Sequence, residues 1–262
     1  MHIVVLTKPV PDPAAAAERL GADFRLERSA SPSVVNANDE YALEAALKLT
    51  ERHGGEVTLL TMSPVGAADT MRKALAMGAT RGVLVTDPAL AGSCVRSTMT
   101  VLAAALGAMT FDLVLAGADT SDGGGGVVPA GIAALLRLPY LGNAATIEPD
   151  GTSGRVRVRR ITPTGYDLLE APMPALIVCT QALGEPRYPS LKGIMGARAK
   201  EITVRSLADI GLDTVSVGGA VASTAVLETQ RPPARGATRV VRGSAEDGAR
   251  EIVALLESRR LI

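Results

Sequence analysis

A chain of 262 residues is long enough to bury a sizeable core, either as one large α/β domain or as one domain with an appendage. Its 27 basic residues balance 27 acidic ones, Trp is absent and aromatics make up 2%, which removes the charge footprint and the stacking surfaces that nucleic-acid binding uses. Although 47% of the residues are hydrophobic, no run approaches the roughly 18 apolar residues of a membrane helix, so no membrane insertion is expected.

The first element reads HIVVLT (2–7), a strand cut short by Lys8, Pro9 and Pro11. No charged leader precedes it, so a signal peptide is not expected and the setting is read as cytoplasmic. A helix follows over NANDEYALEAALKL (36–49), with Leu43, Ala46 and Leu47 on one face. Strand VTLLTM (57–62), a helix through Met71, Ala74 and Leu75, and strand GVLVTD (82–87) come next. A third helix carries Val95, Met99, Leu102 and Leu106, with Ser93 as its expected cap, and Gly78 and Gly107 fall where two of the helices end. DLVLAG (112–117) is again apolar throughout, as strands buried on both faces of a parallel sheet are. DTSDGGGG (119–126) then leads into the helix VVPAGIAALL, with Pro129 in its first turn.

After Asn143 the texture changes, because RVRVRR (155–160) and TPTGYDLLEAP (162–172) alternate and turn like an antiparallel hairpin. ALIVCT (175–180) returns to a buried strand. Residues 214–238, rich in Gly, Ala, Ser and Pro and including RPPARG, read as an extended arm. Ser244 and Asp247 open a last helix with Ile252, Leu255 and Leu256 on one side. The expected fold is α/β: a doubly wound, mostly parallel Rossmann-like sheet flanked by helices, with an antiparallel hairpin and an extended C-terminal arm. A nucleotide-binding domain would span 1–212 and the arm with its helix 213–262.

Two readings compete at DTSDGGGG. Glycine backbone at a helix N-terminus can cradle a phosphate, and a Gly-rich turn can be only a turn. It lacks the Gly-Lys-Ser/Thr ending of a Walker loop and the spacing of the dinucleotide fingerprint. Asn36, Asn38 and Asp39 in isolation read best as helix caps. Yet TKPVPD (7–12), NAND, TMSP (61–64) and AGADTSDGGGG (116–126) all lie at strand ends, which in an open α/β sheet line one crevice. Their coincidence supports a mononucleotide site. No catalytic constellation accompanies it: His53 sits at a helix end, Cys179 lies inside a buried strand, and Cys94 and Cys179 have only His2 and His53 to form a metal site with.

EPRYPSLKGIMGARAK (185–200) fits no element, since it mixes apolar and basic residues without a period and two prolines interrupt any helix or central strand there.

With TMRKALAMGATRGVLV (70–85), NANDEYALEAALKL and AGADTSDGGGGVVPAGIA (116–133), that segment makes the chain resemble the β subunit of electron-transfer flavoprotein, from residue 2 to about 212 and more weakly beyond. The resemblance implies a heterodimer in which an α subunit holds most of the FAD and the β subunit, without turnover of its own, binds a structural AMP. The pair would carry electrons from acyl-CoA-type dehydrogenases of fatty acid β-oxidation to a membrane quinone oxidoreductase. Carried over by motif, the nucleotide contacts are Leu6; Asn36, Ala37, Asn38 and Asp39; Met62; and Gly117, Ala118, Asp119, Thr120, Ser121, Asp122, Gly123, Gly124, Gly125, Gly126, Val127 and Val128. Partner docking falls to Pro186, Arg187, Tyr188, Leu191, Ile194 and Met195, with Leu191 as the anchor and the basic residues solvated around it. The arm and last helix would pack on the α subunit. Pro13 and Asn38 stand where some members place aromatics near the flavin, and Ile161 where an acidic residue often guides the flavin domain. Alternatives are a bifurcating-type β subunit with a second FAD, and a free-standing nucleotide-binding or hydrolysing protein.

Overall fold

The computed structural model of the protein describes residues 1–15, 19–28, 31–230, 232, 233, 236, 238 and 240–262. The chain divides into a unit spanning Met1–Leu227 and a second spanning Glu228–Ile262. In chain order the strands are β1 (His2–Leu6), β2 (Pro9–Pro11), β3 (Ser33–Val35), β4 (Glu56–Met62), β5 (Arg81–Val85), β6 (Leu113–Gly117), β7 (Tyr140–Asp150), β8 (Arg155–Thr162), β9 (Gly165–Pro172), β10 (Ala175–Cys179) and β11 (Ile202–Arg205). The helices are α1 (Ala37–His53), α2 (Ala68–Met77), α3 (Val95–Gly107), α4 (Val128–Leu136), α5 (Leu191–Ala197) and α6 (Ala245–Ser258).

Among the described residues nine strands form one sheet in the order β11-β5-β4-β1-β6-β10-β7-β8-β9, and β2 pairs separately with β3. All neighbours from β11 to β7 run parallel, whereas β8 and β9 are antiparallel. The inner strands lack a polar face because helices cover both sides. Ile3 and Val5 enter a core with α1 and α2, while Val4 and Leu6 enter another with α3 and α4. From β1 the chain winds outward through β4 and β5, then returns to lay β6 on the other flank of β1. The strand order reverses there, so the carboxyl ends of β1 and β6 flank an open crevice.

Several local readings are corrected. The expected antiparallel hairpin forms as β8 and β9, but the antiparallel region extends beyond it: β7 is a single 11-residue strand that pairs in parallel with β10 through Tyr140, Leu141 and Ala144, and with β8 from Ala144 onward. Gly142, Asn143 with φ 55 and Pro149 interrupt its alternation, which hides the period of two. Ser93 does not cap α3. Its hydroxyl donates instead to the Leu90 carbonyl at 2.7 Å, and Cys94 occupies the cap position by backbone geometry, with no side-chain bond that caps the helix. Nor is 185–200 a loop throughout, because both prolines precede Ser190, whose hydroxyl accepts the Gly193 N–H at 3.0 Å and starts α5.

Beyond β11 the chain makes single turns at Thr214–Ser216 and Gly219–Val221, with Val217 buried between them. Of the RPPARG stretch, Arg231, Ala234 and Arg235 lie outside the described residues. In the second unit Ser244 and Asp247 form a reciprocal capping box at the start of α6, and Ile252, Val253 and Leu255 are exposed.

Candidate functional site

The crevice between β1 and β6 is built by three loops that meet through side chains. Gly117, the last residue of β6, lets the start of α1 lie directly against it: a Cβ there would stand 2.5 Å from Asp39 Oδ1 and 2.7 Å from the Asn38 carbonyl carbon. Asn36 holds the N-cap position of α1 by backbone geometry, but its side chain does not cap the helix. Instead Nδ2 donates to the Asp119 carbonyl at 2.8 Å and Oδ1 accepts the Ser121 N–H at 3.2 Å. Asn38 Nδ2 donates to the Asp119 carboxylate. The capping reading is thereby corrected, because both amides are spent on tying the 119–126 loop to α1.

Asp39 is buried, and its Oδ2 accepts the Lys8 N–H at 2.8 Å. Burial pushes its carboxyl up to about 7, against the opposing hydrogen bonds of Asn36, Lys8 and Gly117. Between the ordinary carboxylate range and pH 7 the folded protein holds a proton that the unfolded chain has released. Stability therefore falls as pH rises through that window, by up to about 4 kcal/mol, and levels off above it. Urea unfolding between pH 4 and 8 is expected to show this slope in the parent and a flatter one in Asp39→Asn; an equal slope in the variant assigns it to another group.

Asp122 is the hub of the glycine loop. With its side chain 1% exposed, it accepts Lys8 Nζ at 2.7 Å and Arg28 Nε at 2.9 Å. Burial alone would raise its carboxyl, yet the hydrogen bond and charge of Lys8, with the hydrogen bond from Arg28, leave it below the usual range. Beyond this hub, no described residue lies within 4 Å of where a Cβ would stand on Gly124 or Gly125, and Gly124 and Gly126 have φ of 55 and 61. The loop thus presents open backbone, which suits the close approach of an anionic group. Thr61 Oγ1, buried without a hydrogen-bond partner among the described residues, lines a narrow cleft beside Thr7, Lys8 and Pro9.

Of the other residues read as nucleotide contacts, Leu6 is buried at the end of β1, Met62 ends β4, Ala37 begins α1, and Ala118 and Thr120 are half-buried in the loop. Gly123 is exposed, with its N–H bonded to Thr120 Oγ1, while Val127 and Val128 open α4. Nothing in the sequence marks Lys8 or Arg28 individually. TKPVPD flagged the loop that carries Lys8, whereas the segment around Arg28 has no periodicity or motif to mark it.

The segment 185–200 lies apart from these contacts, against α1 and α2. Tyr188 is 96% exposed, Leu191 75%, Ile194 50% and Met195 67%, so none is a core residue. Pro186 is half-buried. Arg187 departs from the expectation of a solvated base: Nε donates to Glu44 Oε2 at 2.7 Å and Nη1 to Glu51 Oε1. Burial raises the Glu44 carboxyl, but Arg187 and Lys48 outweigh it and the net shift is downward. Lys200 is likewise engaged, with two backbone carbonyls. Pro13 and Ile161 are exposed, and Asn38 is occupied with Asp119.

The family described as the electron transfer flavoprotein domain matches residues 23–210. A chain of Mycobacterium leprae named electron transfer flavoprotein subunit beta is 40% identical, with 100% of this chain and 99% of the relative covered. Its namesake from Thermoanaerobacterium thermosaccharolyticum is 33% identical over the whole of both chains. The caffeyl-CoA reductase-Etf complex subunit CarD of Acetobacterium woodii is also 33% identical over the whole of both.

Proposed function

The chain belongs to the electron transfer flavoprotein family as a β subunit, and from that premise we propose that it pairs with an α subunit, completes that subunit's FAD site and holds an AMP in its own crevice. The observation that carries this reading is the convergence of Asn36, Asn38 and Asp39 with the 119–126 loop at the strand-order reversal. Open glycine backbone would take the phosphate, because Lys8 and Arg28 are already committed to Asp122. AMP would tie the loops together and supply no redox chemistry, which belongs to the FAD when bound. Exposed Leu191, Ile194 and Met195 would dock to acyl-CoA-type dehydrogenases, and the electrons would pass on to a membrane quinone oxidoreductase. The last helix and its arm would pack on the α subunit, consistent with the exposed Ile252, Val253 and Leu255. Among the described residues no helix is long and apolar enough to cross a membrane.

A second reading, a second FAD in place of AMP, is favoured by the likeness to a chain named as part of a CoA-ester reductase complex. Acid release of nucleotides from the purified heterodimer separates the two. One flavin and one AMP per heterodimer is the expected count, whereas two flavins without AMP establish the second reading. Steady nucleotide hydrolysis by the isolated chain would overturn both in favour of a free-standing enzyme.

A further inference from the structure

Helix α5 has seven residues, too few to persist by itself, and it is fixed at three places. Before it, the Arg187 backbone N–H, Nε and Nη2 all donate to the Glu44 carboxylate, and Nη2 also reaches Glu51 Oε2 at 3.1 Å. Glu44 and Glu51 lie two turns apart on one face of α1. Along α5, Gly193 approaches α2 so closely that a Cβ would stand 2.4 Å from the Ala76 carbonyl oxygen. After it, α2 and the docking segment exchange caps. Arg72 donates to the carbonyls of Ala197 at 2.9 Å and Lys200 at 3.1 Å, while Lys200 Nζ donates to those of Leu75 at 2.9 Å and Ala79 at 2.6 Å. Each side supplies the cation that satisfies the other's terminal carbonyls.

The apolar residues stay exposed between these fixings. Glu44 is the most enclosed member of the first, its side chain 5% exposed against 34% for Arg187 and 56% for Glu51. The rest of the buried face of α1 is Ala and Leu apart from Asp39 at its start, so packing by itself does not call for a carboxylate at position 44.

We propose that Glu44 is a positioning residue for docking: through Arg187 it holds α5 in a preorganised pose, so that a partner binds without first ordering it. The inference rests on the reading of α5 as the docking element. Its test uses the FAD-loaded heterodimer as electron acceptor of an acyl-CoA dehydrogenase supplied with its acyl-CoA. Glu44→Gln keeps the side-chain shape and removes the charge. It is expected to raise the KM for the heterodimer roughly tenfold, with kcat and flavin content unchanged and with faster amide hydrogen exchange over residues 190–198. Leu191→Ala serves as comparator, raising KM without changing exchange. Faster exchange with unchanged KM in Glu44→Gln, while Leu191→Ala still raises KM, overturns the positioning role and leaves the docking reading standing. Unchanged KM in both overturns the docking reading itself. Loss of flavin in parallel with activity makes Glu44 only structural and also overturns the proposal. Should Glu44→Gln not fold, Glu51→Gln at the exposed end of the same clamp decides on the same criteria, with a smaller rise in KM expected.

Discussion

Gly117→Ala is expected to destabilise the protein by about 3 kcal/mol, as overpacking a tight contact does. For a chain of this size that corresponds to a fall of about 6–12 °C in Tm. The added methyl would stand 2.5 Å from Asp39 Oδ1 and 2.7 Å from the Asn38 carbonyl carbon, and the second of these is backbone that cannot turn aside. Relief requires α1 to move off β6, which separates Asn36 and Asn38 from Asp119 and opens the crevice. On the proposed reading of an AMP-holding heterodimer, the nucleotide should therefore be lost along with the stability. Gly151→Ala, outside the crevice, is the control, since no described residue lies within 4 Å of its Cβ position, and it should keep the parent Tm. Equal Tm values for Gly117→Ala and the parent, measured by calorimetry, would show that α1 does not depend on this contact.

As the proposed docking anchor, Leu191 on replacement by Ala should reduce kcat/KM for reduction of the proposed heterodimer by an acyl-CoA dehydrogenase by roughly 30-fold, the equivalent of about 2 kcal/mol. Flavin content and Tm should not change, because a side chain 75% exposed contributes little to the core. A parallel loss of flavin would mean that Leu191 supports the cofactor site rather than the encounter. The effect belongs in KM if docking is limiting, since removing a contact made equally in the bound complex and the transition state leaves kcat alone. Small apolar anchors suit a carrier that must bind and release its partner repeatedly, because a few side chains hold most of the affinity over a small footprint.

The parallel strands were legible because their burial on both faces leaves an unbroken apolar run, as in IVVL (3–6) and ALIVC (175–179). The capping box at Ser244 was legible for a similar reason, since all of its partners lie within one turn. β7 was not legible, because Gly142, Asn143 and Pro149 erase the alternation that would mark it. At 185–200 the prolines correctly excluded a helix before Ser190, but they carry no information about residues after it.

Asn36 marks the limit most clearly. Its neighbours in the chain are those of an ordinary helix cap, and its backbone sits at the cap position. Its side chain nevertheless bonds to residue 119, 83 positions away, because the reversal of strand order lays β6 beside β1. Lys8 meets Asp122 across 114 positions, and Arg187 meets Glu44 across 143. The sequence by itself determined the alternation of strands and helices, the motifs that resemble one family and the set of loops at the strand ends, because periodicity and burial act over a few residues. Only the tertiary structure decided which polar side chains bind one another and which remain open. Those pairings follow from strand order and helix placement, which no local pattern encodes.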